Sequence, residues 1–134
     1  KGLKPEEYAG EAIRRCGCIQ GCELVKKGGG TTSLKGLKRA LFTLPAKFVF
    51  EMKILESTDD KLSIDFHYCP LVGAWQKMGL SDQRIAQLCD IAMDGDRGIA
   101  SQFGSKLKLG KVISKGEDIC QIRFERIEPI KKID

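Results

Sequence analysis

Apolar residues along this chain change period several times, and each change marks an element. Pro5-Glu6-Glu7 is a good helix opening, with proline in the first turn and carboxylates at the positive end of the dipole. Tyr8, Ala9, Ala12, Ile13, Cys16, Ile19 and Leu24 then recur at roughly helical spacing, weakened by Gly17 and Gly21 and ended by Gly28-Gly29-Gly30. Ser33 can cap a second helix containing Leu34, Leu37, Leu41 and Phe42, which Pro45 closes. From Phe48 to Leu55 the period drops to two, with Phe48, Phe50, Met52 and Ile54 on one face. After the turn residues Ser57-Thr58-Asp59-Asp60, a strand from Leu62 to Cys69 follows, so the two runs read as an antiparallel hairpin.

Pro70 ends that strand, and a short helix carries Val72 to Met78 until Gly79 stops it. Ser81 caps the next helix, whose apolar stripe is Ile85, Leu88, Cys89 and Ala92. Asp94-Gly95-Asp96-Arg97-Gly98 interrupts the stripe, and Ile99 to Phe103 resumes it. Lys106–Ile113 and Asp118–Arg126 form a second hairpin across Ser114-Lys115-Gly116-Glu117, with Cys120, Ile122 and Phe124 on one face. Helices and paired strands in runs, without βαβ alternation, predict an α+β fold. Its antiparallel sheet is built from two hairpins and packed on one face by helices. The expectation is a single domain over 1–134: a cysteine-containing helix and glycine linker (1–30), a core (31–128) and a polar tail (129–134).

A chain of 134 residues with 42% hydrophobic and 31% charged residues can bury one real core. No apolar run spans a bilayer and no secretory signal pattern opens the chain, which predicts a cytoplasmic protein without a membrane partner. The net charge is +5, but the basic residues are dispersed and the aromatics fall at strand positions that look buried. That pattern argues against a nucleic-acid partner and suits a basic pocket for a small carboxylate equally well. Six cysteines in a chain able to form a core read as reduced thiols rather than a disulfide framework. Association with like chains is left open.

The densest chemistry lies between Asp65 and Trp75, which includes the chain's single histidine and single tryptophan. In strand geometry His67 and Cys69 share a face, alternate to Leu62, Ile64, Phe66 and Tyr68. An imidazole beside a thiol can draw off its proton and make a nucleophile; the same pair can equally sit at a strand end without chemistry. Asp90, next to the apolar stripe, can orient an imidazole or simply be solvated. Cys89 and Cys120 fall at core-like positions, although Cys89 joins Cys69, His67 and Asp90 among the candidate catalytic residues. His67, Cys69, Cys89 and Cys120 have atom types suited to zinc but are spread over three elements. Cys16, Cys18 and Cys22 lie closer together, with too few ligands for an iron–sulfur cluster unless Cys69 or another chain contributes. The expectation is no cofactor and no assigned metal ligand, with metal binding by these cysteines left open.

Three stretches carry a family resemblance: Cys69-Pro70-Leu71-Val72-Gly73-Ala74-Trp75-Gln76-Lys77-Met78-Gly79-Leu80-Ser81, then Leu88-Cys89-Asp90-Ile91-Ala92, then Lys115-Gly116-Glu117-Asp118-Ile119-Cys120. In order and approximate spacing they resemble the L-2-amino-thiazoline-4-carboxylic acid hydrolase family, over residues 34–126. The resemblance implies hydrolytic opening of a cyclic amidine-thioether to a carbamoyl-cysteine, on a route to cysteine. Cys69 would attack the ring carbon or His67 would activate water, with Asp90 orienting. Trp75, Arg123 and Lys77 would bind substrate, the two cations serving its carboxylate. The competing expectation is a non-catalytic domain using the same thiols for a small ligand, a metal or redox sensing.

Overall fold

The computed structural model describes every residue except Lys1, Leu3 and Asp134; those ends of the expected first segment and tail lie outside the described residues. The element order is α1 (Pro5–Lys27), α2 (Leu34–Leu41), α3 (Leu44–Val49), β1 (Met52–Ser57), β2 (Lys61–Phe66), α4 (Pro70–Lys77), α5 (Asp82–Gln102), β3 (Ser105–Leu109), a 3₁₀ turn (Ile113–Lys115) and β4 (Cys120–Arg126). The hairpins β1–β2 and β3–β4 join through β2 and β4 into one four-stranded antiparallel sheet of order β1-β2-β4-β3. The chain is therefore α+β, with helices packed against the sheet, as the runs of helix and strand period require.

Register explains which face is buried. Met52 lies opposite Phe66, Ile64 opposite both Ile54 and Ile122, and Leu62 opposite Phe124. Phe66 also faces Cys120, and Leu107 faces Phe124. These residues share one side of the pleat, under α2 and α5, where Leu34, Leu37, Leu62, Ile64, Phe103 and Phe124 are fully buried. Burial of each such side chain contributes about 1.5–3 kcal/mol. The opposite side carries Lys53, Ser63, Asp65, Gln121 and Arg123.

Four boundaries differ from the sequence expectation. Pro45 does not close a helix; it opens one, since a missing N–H costs nothing in the first turn. Phe48 and Val49 thus belong to α3 and are exposed, and the strand begins only at Met52. β2 ends at Phe66 rather than Cys69. His67 and Tyr68 still donate backbone N–H groups to Glu51 and Phe50, but the alternation is lost there and Cys69 becomes the N-cap of α4. The link between β3 and β4 is longer than a tight hairpin turn and contains the 3₁₀ turn.

The fourth difference concerns glycine. α5 runs unbroken through Asp94-Gly95-Asp96-Arg97-Gly98 because these positions press against α1. The buried residues of α1 are Gly10, Gly17, Gly21 and Val25, while Tyr8, Cys16 and Ile19 face outward. Gly17 lies against the Gly95 carbonyl, and Gly98 lies against the backbone of Arg14 and Cys18; a Cβ at either would collide with main chain. The glycines that weaken α1 by propensity are the surface on which it packs.

Arg126 ties the ends of this arrangement together. Its guanidinium donates to the carbonyls of Thr32, Asp59, Phe103 and Glu128, and its Nε lies 3.1 Å from the Asp60 carboxylate. Beside it the tail is strapped to residues 30–32, with Thr32 N–H donating to the Lys131 carbonyl at 2.9 Å. Arg126→Gln is expected to cost about 2 kcal/mol in urea unfolding, because a charged donor shared among four carbonyls, two of them at part-buried positions, is lost. An unchanged midpoint would show that these bonds contribute nothing net.

Candidate functional site

The end of α2, the α3–β1 connection, α4, α5 and the sheet leave a gap between them. It forms a cavity of about 240 Å³ lined by Leu41, Phe42, Ala46, Phe50, Met52, Phe66, Cys69, Leu71, Trp75, Cys89, Ala92, Met93, Asp96, Cys120 and Ile122. Its position follows from the sequence. Leaving the strand at His67 lets Phe66 and Cys69 reach the same space, and the 3.6-residue repeat of α5 brings Cys89, Ala92, Met93 and Asp96 to one stripe. The walls are mainly aromatic and aliphatic: the Phe50 and Phe66 rings lie 5.0 Å apart, and Phe42 and Phe66 lie 6.5 Å apart.

Three free thiols and one carboxylate interrupt this apolar lining. Cys120 accepts a hydrogen bond from the Ile113 N–H at 3.2 Å, and the Ser114 side chain beside Cys89 works against the rise in that thiol. Burial pushes both thiols up, and the nearby Cys69 sulfur adds to each rise. These two sulfurs are therefore protonated at neutral pH. Cys69 differs in position. It is the N-cap residue of α4, and its side chain makes no capping hydrogen bond to the first turn. Burial raises Asp96 from its ordinary 3.8 to about 6, a rise that neighbouring Arg97 opposes only in part. The Arg97 guanidinium is committed elsewhere, 2.8 Å from Asp94 and 2.9 Å from Asp90.

Among the residues expected from sequence, the cavity brings together Cys69, Cys89 and Trp75. His67 is exposed outside it, with Nδ1 3.0 Å from the Glu51 carbonyl. Asp90 is exposed and ion-paired with Arg97, beside a separate shallow depression. Lys77 ends α4 on the surface. Arg123 is on the other face of the sheet, where it donates to the Ile64 carbonyl and pairs with Asp65 at 2.8 Å. Strand alternation dictates this, because Ile122 and Phe124 point to the core. Asp96 escaped the sequence reading although its spacing from Cys89 and Met93 placed it on the stripe. The expected break at Asp94–Gly98 concealed it.

No group of three or more histidine, cysteine, aspartate or glutamate side chains among the described residues is arranged to hold a metal. Cys18 faces Ser101 and Cys22 donates to Gln102 at 3.1 Å, while Cys16 points outward. No helix among the described residues is long and apolar enough to cross a membrane.

The fold and cavity define an α+β domain with a small thiol-bearing apolar chamber between helices and an antiparallel sheet. The family model of L-2-amino-thiazoline-4-carboxylic acid hydrolase matches residues 1–124, and the chain belongs to that family. Among solved structures, it is similar to a trafficking protein particle complex subunit 3 from Naegleria fowleri, determined covalently bound to palmitic acid. The TM-score is 0.60 at 14% identity, with 95% of this chain and 82% of that chain covered, which establishes a shared fold. No curated protein matches the chain.

Proposed function

We propose that the domain receives a small ligand with an apolar body in the cavity between α4, α5 and the sheet. The observation that carries this reading is the lining itself. Phenylalanine, tryptophan, methionine and leucine side chains enclose the space, and no lysine, arginine or histidine is among them. A free carboxylate would thus enter without a counter-ion, beside Asp96, and pay for its desolvation. The palmitic acid in the fold neighbour supports the capacity of this architecture for apolar occupants.

An NMR titration with a neutral aromatic probe such as benzyl alcohol tests the reading. Shifts are expected to concentrate on Trp75, Met52, Met93 and Phe66, with nuclear Overhauser contacts from the probe to the methionine methyls. Absence of any shift at millimolar probe would reject it.

The family membership supports a second reading, hydrolysis of a cyclic amidine. Cys69 would add to the ring carbon between nitrogen and sulfur. The ring C–S bond would then break, with Asp96 protonating the departing sulfur. Water would next add to that carbon and release the Cys69 thiol and the carbamoyl product. Anaerobic incubation with 2-amino-thiazoline-4-carboxylate, followed by NMR, checks this. Ring opening by wild type that is abolished in Cys69→Ala would support catalysis at the cavity, while no opening by wild type would sink it.

A further inference from the structure

Asp96 is an anomaly in a chamber of otherwise neutral side chains. No side chain among the described residues hydrogen-bonds its carboxylate, and the adjacent guanidinium of Arg97 is held by Asp90 and Asp94. The other titratable groups lining the cavity are Cys69 of α4, Cys89 of α5 and Cys120 of β4; all are acids, and none brings a positive charge. A lone carboxylate in an apolar chamber is costly to bury and gains most from a ligand that supplies the missing cation. The rings of Phe66 and Trp75 line the same chamber, and their faces attract a cation while their bodies fit an apolar group.

We propose that the ligand is an amine or amidine with an apolar body, its cation paired with Asp96 and its body against Phe66 and Trp75. The proposal rests on the ligand-cavity reading above and narrows it by charge. It sets an order among ligands of one shape: cation first, neutral compound second, anion last. It also bears on the compound named by the family, whose amidine end would meet Asp96 while its carboxylate end would find no cation among the lining residues.

The test titrates the protein with 2-phenylethylamine, 2-phenylethanol and phenylacetate, reading Trp75 fluorescence and amide NMR shifts at pH 7.5 and at pH 5. At pH 7.5 the amine is expected to bind at least about tenfold more tightly than the alcohol, and phenylacetate more weakly than either. Asp96→Asn should bring the amine down to the affinity of the alcohol. In wild type, binding of the amine should weaken at pH 5, where the carboxyl is protonated, while binding of the alcohol stays level. This pH comparison keeps the test intact should the variant fold poorly. Equal affinity for amine and alcohol would overturn the proposal and leave the cavity reading standing. Failure of all three compounds to perturb the lining residues would overturn both.

Discussion

Gly17→Leu is expected to lower the stability of the fold by about 3 kcal/mol or more, with the loss visible as a fall in the urea midpoint. The reason is geometric. Gly17 lies against the Gly95 backbone, so even a first side-chain carbon meets main chain rather than a side chain that could turn aside. The helices would have to separate, which would also disturb the neighbouring contact of Gly98 with Arg14 and Cys18 and the ledge of Gly21 on Gln102. Ile19→Leu is the matched control, because that position is 68% exposed and should tolerate the change within ~0.5 kcal/mol. Should Gly17→Leu unfold at the wild-type midpoint, the close α1–α5 crossing would be wrong. A second consequence concerns the site: α5 carries Cys89, Met93 and Asp96, so displacement of this helix should perturb the cavity at a distance from it.

Much of this architecture was legible in the sequence, and the misses have a common cause. Period-two runs located both hairpins, and Ser33 and Ser81 do cap α2 and α5 by accepting hydrogen bonds from Lys35 and Arg84. Cys120, Ile122 and Phe124 are buried on the one face they were expected to share. What failed was the local meaning of glycine and proline. Gly95 and Gly98 read as an interruption because propensity is a property of the isolated helix, whereas close helix contact is a property of the pair. Pro45 reads locally as a stop for the helix before it, whereas the same ring starts the helix after it. The site was affected for the same reason. His67 and Cys69 share a strand face only while the strand lasts, and it ends at Phe66, so backbone geometry sends the imidazole outward and leaves the thiol at the cavity. Asp96 belongs to a helical stripe that runs on through the glycines of α5.

Asp96→Asn is expected to stabilise the protein at pH 8 and to lose that advantage in acid. The sign follows from proton linkage. The carboxyl is raised to about 6 from its ordinary 3.8, so between those values the folded state binds more protons than the unfolded state, and stability falls as pH rises. Below about pH 3 both states are protonated and the residue carries no penalty. Above about pH 6 the penalty is complete, and the gap between the two values corresponds to about 3 kcal/mol. Asparagine is neutral throughout, so the difference between variant and wild type should grow from near zero at pH 3 toward that figure at pH 8. Urea unfolding at intervals of pH measures the difference directly, and carbonyl-carbon NMR of the Asp96 carboxyl gives its midpoint independently. A difference that is flat with pH, or a midpoint near 4, would mean that the carboxylate is well solvated after all. The sign is the informative part, because most carboxylates in folded proteins stabilise as they ionise. Residues that do the reverse are kept at a cost to the fold, and that cost is recoverable only through something the ionised group meets in the cavity.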